Sequence, residues 1–297
     1  MRAVSIVSDG ESTLSPAYAP FVERLHANGL DVGNATNGWR FFLELAERLL
    51  PKLKWVRFTV LAGTPERFAE MMIGDASRTE LFDVALRNIA EAVRIKRERD
   101  LNVTLGIQTF VTPEDRDAIL AFARLGVELG VDYAVIKHMS DDERGSYGVD
   151  YGKYDEIYSA LREAEMLSND RTQVIVKWSK LRDGNRPPYK RFYGPPFLLQ
   201  VSGSGLVAPS GMFFNQRYAK LWIGNFTTER LRDLWRSERY WECMNYLASP
   251  AFDAATMLGS LPIQHYASVA LDRHVKGIER ITAPPAGTPR PDHYNFV

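Results

Sequence analysis

Through its first 180 residues the chain alternates short apolar, β-branched runs with longer stretches whose apolar positions recur every three to four residues. That alternation is the sequence form of repeated βα units, which build a parallel sheet with helices packed on it. Six strands are predicted, at 3–7, 30–35, 56–61, 103–108, 133–137 and 173–177. Helices are predicted between them at 17–28, 39–50, 65–72, 80–99, 113–129 and 154–167. In the fourth helix Leu81, Val84, Ala85, Ile89, Ala92, Val93 and Ile95 trace one face, which is expected to pack on the sheet. Gly29 and Gly130 stand where a helix must stop and turn into the next strand, a place for a residue that tolerates positive φ. These α/β units fit a partial or full parallel barrel better than a doubly wound sheet.

The pattern breaks after Trp178. Arg186-Pro-Pro-Tyr189 and Gly194-Pro-Pro-Phe197 read as a stiff connector, because proline fixes φ and cannot continue a helix. Beyond them, residues 197–201 and 206–208 flank Ser202-Gly-Ser-Gly205, a β-hairpin with a glycine turn. One helix is predicted over 228–247, with Thr228 as N-cap and Leu231, Leu234, Trp235, Trp241 and Met244 available for burial. The end, 283–297, carries four prolines and little periodicity, and reads as a draped or mobile tail. The expected division is a barrel-forming segment at 1–180, a small α+β segment at 181–280 and a Pro-rich tail at 281–297.

Charge narrows the partners. Lys plus Arg equals Asp plus Glu at 37 each, so no global field recruits nucleic acid or an anionic membrane. No stretch approaches the ~20 apolar residues needed to cross a bilayer. The start lacks the longer apolar region and cleavage site of a secretory signal, and a soluble, cytoplasmic protein is expected. Cys243 is the single cysteine, so no intrachain disulfide can form.

Candidate chemistry collects at the strand ends. The loop Ser8-Asp-Gly-Glu-Ser-Thr-Leu14 follows the first strand, and Ala35-Thr-Asn-Gly38 closes the second. On loop statistics Asp9, Gly10 and Glu11 form an ordinary turn, and its position at a strand end is what marks it. Thr59, Gln108, Lys137 and His138 occupy the C-terminal ends of later strands, where barrels gather their ligand-binding groups, and all four are expected to face the site. Asp141, Asp142 and Glu143 are consecutive, so they do not converge readily on one ion and read as a solvated loop; no metal site is expected.

Taken in order over residues 4–274, these segments resemble the radical S-adenosylmethionine (SAM) superfamily. The first loop resembles its Gly-Gly-Glu-Pro type loop, and Thr36-Asn37-Gly38 its Thr-Asn-Gly strand end. The segments 55–68, 102–109 and 129–138 resemble its fourth to sixth strands. Residues 192–211, Ile223-Gly-Asn225 and Leu231-Arg-Asp-Leu-Trp235 resemble the SPASM extension of many members. The resemblance implies a partial TIM-like barrel with a small α+β extension. It implies that Asp9, Gly10 and Glu11 meet the amino group of S-adenosylmethionine, and that Thr36, Asn37, Thr59, Gln108, Lys137 and His138 line the cofactor or substrate site. It also implies a 4Fe-4S cluster, which takes three or four thiolates.

The thiols for that cluster are absent from this chain. The first-loop cysteines would precede residue 3, and the places matching the extension's cysteines are Phe192, Ser210 and residues 258–262. Phe, Leu and Pro cannot ligate iron, and serine is a poor substitute. The aromatic residues Phe213, Phe214, Tyr218, Trp222, Trp235, Tyr240 and Trp241 are expected instead to fill the small core left without clusters. Two readings follow. The first is a cluster-free relative that binds S-adenosylmethionine, a peptide or a small molecule, or assists a partner. The second is the C-terminal portion of a split radical enzyme that uses a companion's cluster. Without a preceding strand the edge at 3–7 would expose backbone groups, so a second copy or a partner protein is expected to cover it.

Overall fold

The computed structural model describes residues 1–7, 10–142, 145–257, 261–285, 287–289, 293 and 295–296. The chain divides into two compact units, the first formed by residues 1–139, 150–182 and 296, the second by 140–149, 183–295 and 297.

The first unit is a six-stranded, all-parallel sheet in sequential order: β1 (Ala3–Ile6), β2 (Asp31–Thr36), β3 (Trp55–Thr59), β4 (Thr104–Val111), β5 (Tyr133–His138) and β6 (Gln173–Val176). Its helices are α1 (Tyr18–Ala27), α2 (Leu43–Leu49), α3 (Pro65–Ile73), α4 (Glu80–Glu98), α5 (Arg116–Leu129), α6 (Tyr158–Met166) and α7 (Trp178–Asp183). Gly29 and Gly130 adopt φ of +74° and +64°, the left-handed stops expected of them. Helix α2 starts later than residue 39, because Gly38 has φ +81° and Asn88 of α4 donates to the Gly38 and Trp39 carbonyls.

Strand alternation sorts the sheet's faces. A Cβ on Gly126 of α5 would lie 2.6 Å from Ala134 Cβ and 3.3 Å from Ile107 Cδ1, so α5 packs directly on the face carrying those residues. Val56, Phe58, Leu105, Ile107, Ala134 and Ile136 point to that helix-covered side and are fully buried. Apart from the smaller Ala134, each contributes on the order of 1.5–3 kcal/mol to the hydrophobic driving force. Trp55, Arg57, Thr59, Gln108, Phe110, Tyr133, Val135 and Lys137 occupy the opposite face.

The second unit has little regular structure. Its antiparallel sheet is three short strands, β7 (Gln200–Val201), β8 (Leu206–Ala208) and β9 (Gly224–Asn225), followed by α8 (Leu231–Leu234), α9 (Glu238–Ala248) and α10 (His265–Val275). The single helix expected over 228–247 is two. Thr228 Oγ1 donates to the Asn225 carbonyl inside a turn, and the true cap of α9 is Ser237, whose side chain accepts from Tyr240 N at 3.1 Å. This shifts the buried phase to Tyr240, Cys243, Met244 and Leu247, leaving Trp235 36% and Trp241 54% exposed. The Pro-rich stretch expected as a connector sends Tyr189 and Phe192 into an apolar cluster with Phe213, Leu221, Leu247 and Phe252. In the tail, Phe296 packs edge-on against Trp55 at 5.8 Å.

Candidate functional site

The first loop is fastened to the end of β2 by one carboxylate. Glu11 Oε1 accepts from Thr13 N (3.0 Å), Thr13 Oγ1 (2.6 Å) and Thr36 Oγ1 (2.9 Å), while Oε2 accepts from Asn37 N (2.7 Å). Thr36 Oγ1 in turn accepts from Gly38 N, and Asn37 Oδ1 from Trp39 N. With about four acceptor sites per carboxylate, Glu11 is largely committed to the protein's own donors. Its geometry is that of a positioning group, with Oε2 holding the spare acceptor capacity. Beside it, burial and the Glu11 charge push the Tyr18 hydroxyl pKa upward. Gly10 lies in this loop; Asp9 falls outside the described residues.

A second set forms a row across three strands on the face opposite α5. Thr59 Oγ1 accepts from Gln108 Nε2 at 2.9 Å, and Gln108 Oε1 accepts from Lys137 Nζ at 2.7 Å. Thr59 and Gln108 are register partners of β3 and β4, and Lys137 lies two residues beyond Val135, the β5 partner of Gln108. Burial first, then the charges of Arg57, Lys180 and Lys177, push Lys137 down to about 6. Arg57 lies behind this row. Its register partner is Gly106, whose missing Cβ makes room for the Tyr133 ring, and Gly33 likewise makes room for Trp55. The Arg57 guanidinium lies 5.5 Å from the Trp55 ring centre, and Lys137 Nζ 5.7 Å from that of Phe110.

His138 does not join them. As the residue after Lys137 in a strand it points to the helix-covered side, where it is 1% exposed, edge-on to Tyr151 (5.5 Å) and Tyr154 (6.0 Å). Its Nδ1 lies 2.8 Å from the Met139 carbonyl. Four strand-end positions were expected to face one site; period-two alternation allows Thr59, Gln108 and Lys137 and excludes His138. Sequence reasoning missed Arg57, Lys177 and Lys180. The first is two residues before Thr59 on the same face, a spacing that could have been read from the strand pattern.

Asp141 organises a loop in the second unit: its carboxylate accepts from Asp142 N, Tyr147 N and Val149 N at 2.8–3.0 Å. Among the described residues no group of three or more His, Cys, Asp or Glu side chains could hold a metal ion. Cys243 is 2% exposed on α9, its Sγ 3.6 Å from the Leu221 carbonyl, and burial raises its pKa. One buried thiol does not fit a 4Fe-4S cluster, so this chain's described residues supply no ligand set for that group. Phe192 is buried between Tyr189 and Phe213, and Ser210 Oγ lies 3.4 Å from Gln200 Oε1; residues 258–260 are outside the described set.

No protein-family model and no curated protein matches the sequence. Solved structures do. Streptococcus suis SuiB bound to S-adenosylmethionine superposes with a TM-score of 0.61 at 13% identity, over 83% of this chain and 56% of SuiB. Native anSMEcpe with bound AdoMet gives 0.54 at 14% identity, over 94% of this chain and 84% of that one. The complex of anSMEcpe with AdoMet and Kp18Cys peptide gives 0.53 at 13%, over 95% and 87%. This chain therefore spans just over half the length of SuiB. These neighbours are radical SAM enzymes, and the six-stranded parallel sheet with its helices has the radical SAM partial-barrel fold. No helix among the described residues is long and apolar enough to cross a membrane.

Proposed function

We propose that the protein is a radical SAM-type barrel that binds ligand at its strand ends without a cluster of its own. S-adenosylmethionine is the candidate cofactor, a peptide or small molecule the candidate substrate-side ligand, and the α+β unit a SPASM-like extension. The observation that carries this reading is the Thr59–Gln108–Lys137 row, a side-chain hydrogen-bonded relay at strand C-terminal ends of a fold whose neighbours were solved with S-adenosylmethionine. When bound, S-adenosylmethionine would place its amino group toward Gly10 and the spare side of Glu11 Oε2. Thr36 and Asn37 would hold that loop, and Thr59 and Gln108 would offer hydroxyl and amide groups to the nucleoside. Titration calorimetry with S-adenosylmethionine tests this. Binding by wild type that weakens about tenfold, ~1.4 kcal/mol, in Gln108→Ala supports it, and no heat with wild type retires it.

A second reading, the C-terminal portion of a split enzyme relying on a companion's cluster, is favoured by the intact clamp of Glu11 onto Thr36 and Asn37. Anaerobic reconstitution with iron and sulfide, alone and with candidate companions, separates the two. Cluster absorption and 5′-deoxyadenosine only in the presence of a companion select the split enzyme. Among the described residues strand β1 pairs only with β2, and a second copy or partner covering its outer edge belongs to either reading. Fast hydrogen exchange along Ala3–Ile6 in the purified protein would argue against such a cover.

A further inference from the structure

Four cations in and beside the sheet of the first unit stand apart from others that are paired with carboxylates. Exposed Arg48, Arg94 and Arg99 all have carboxylate partners, respectively Glu23, Glu91 with Glu98, and Glu47, at 2.5–2.7 Å. Lys96 likewise takes Asp132, and the other Asp132 oxygen also accepts from Leu105 N. Arg57, Lys137, Lys177 and Lys180 have no carboxylate within salt-bridge distance among the described residues, although the chain carries 37 acidic side chains. Arg57 Nε is buried with no hydrogen-bond partner among the described residues. Their local compensation is weak: the Trp55 and Phe110 rings beneath Arg57 and Lys137, and the Gln108 amide on Lys137. A cation–π contact offsets only part of the cost of desolvating an ion.

We propose that the face of the sheet opposite α5 binds a small dianion, of phosphate or dicarboxylate chemistry, among Arg57, Lys137 and Lys177, with Lys180 of α7 beside them. Arg57 supplies a planar donor fork suited to two oxygens of such a group, and the lysines supply point charges around it. Strand register sets three of them on one face: Arg57 on β3, Lys137 on β5, and Lys177 just past β6, where its N–H donates to the Ile136 carbonyl at 3.0 Å; consistently, burial and then neighbouring cations depress Lys137, Lys177 and Lys180 alike. The ligand is distinct from S-adenosylmethionine, whose sulfonium and ammonium leave it net cationic, so this site stands or falls separately from cofactor binding. It defines a co-substrate with two negative charges for the same barrel face.

Competitive acetylation read by mass spectrometry tests the site on the full chain at constant ionic strength. Inorganic phosphate or succinate is expected to slow modification of Lys137 and Lys177 at least tenfold while leaving exposed Lys54 unchanged. Protection by phosphate alone assigns a phosphate group, and by succinate alone a dicarboxylate. Arg57→Met should abolish protection; should that variant not fold, Lys177→Met, with circular dichroism as the folding control, should weaken protection of Lys137. Unchanged rates with both anions, or equal protection by chloride, overturns the proposal.

Discussion

The two units of this chain solve the same problem with different materials. The first buries long alternating strands under helices, and its interior on that side is largely hydrocarbon: Phe41, Phe58, Phe68, Ile89 and Phe122 are all 0–1% exposed. The second, with strands of two or three residues, depends on buried side-chain polar groups to fasten its loops. Gln264, 1% exposed, donates to the Leu198 and Pro209 carbonyls at 2.8 and 2.6 Å. Ser268 Oγ accepts from Gly194 N at 3.0 Å, and buried His265 lies 3.0 Å from Asp183. Gln200 Oε1 accepts from Gly211 N at 2.5 Å. A unit with few ladder bonds leaves many backbone groups to satisfy, and here amides and hydroxyls take the task that bound metal performs in many small domains.

That difference predicts opposite sensitivities. Removing volume should dominate in the first unit: Phe58→Ala is expected to cost about 3–5 kcal/mol in denaturant unfolding, and Phe58→Leu much less. In the second unit volume can be kept and stability still lost. Gln264→Leu strands the buried Pro209 carbonyl and the part-buried Leu198 carbonyl and should cost about 2–6 kcal/mol, at roughly 1–3 for each unsatisfied group. A loss under about 0.5 kcal/mol for Gln264→Leu would mean that the loops are fastened by packing alone.

The sequence was legible where the same physics is repeated. All six strands and the helix stops at Gly29 and Gly130 follow from period-two and period-3.6 patterning and from φ. The second unit was read less well because its decisive contacts are non-local. Nothing near Gln264 in sequence announces that it reaches residues 66 and 55 positions earlier. Trp235 and Trp241 looked like core until the cap at Ser237 reset the helix phase. At the site, alternation alone separates Lys137 from His138. The fourfold engagement of Glu11 needed coordinates, since its partners Thr36 and Asn37 are 25 and 26 residues away.

Between the extremes lies the Glu11 clamp, a polar staple of the second unit's type working inside the first. Glu11→Gln replaces one acceptor oxygen by an NH₂ group that must face Asn37 N–H or the Thr13 and Thr36 donors. A cost of about 1–3 kcal/mol is expected, with faster hydrogen exchange at Asn37 and Gly38. Unchanged exchange at Asn37 would show the loop held by something other than the carboxylate.

The smallest predicted effect has the opposite sign. Lys137 is depressed to about 6 from an ordinary lysine value of 10.5, so between those values the unfolded chain binds a proton that the folded protein does not. Lowering the pH through that window therefore destabilises the fold, with the full penalty reached below pH 6. Lys137→Met removes the group and should raise the unfolding temperature by about 2–4 °C at pH 7, on the order of 1 kcal/mol after solvent screening. The gain should grow toward pH 6 and vanish above pH 10.5. A bound dianion reverses the balance by favouring the charged lysine. Succinate, largely dianionic at both pH values, should thus stabilise wild type more than Lys137→Met, and more at pH 6.5 than at pH 8.5. A variant that melts like wild type at every pH would place Lys137 in solvent and remove the electrostatic contrast between this face of the sheet and the hydrocarbon on its other side.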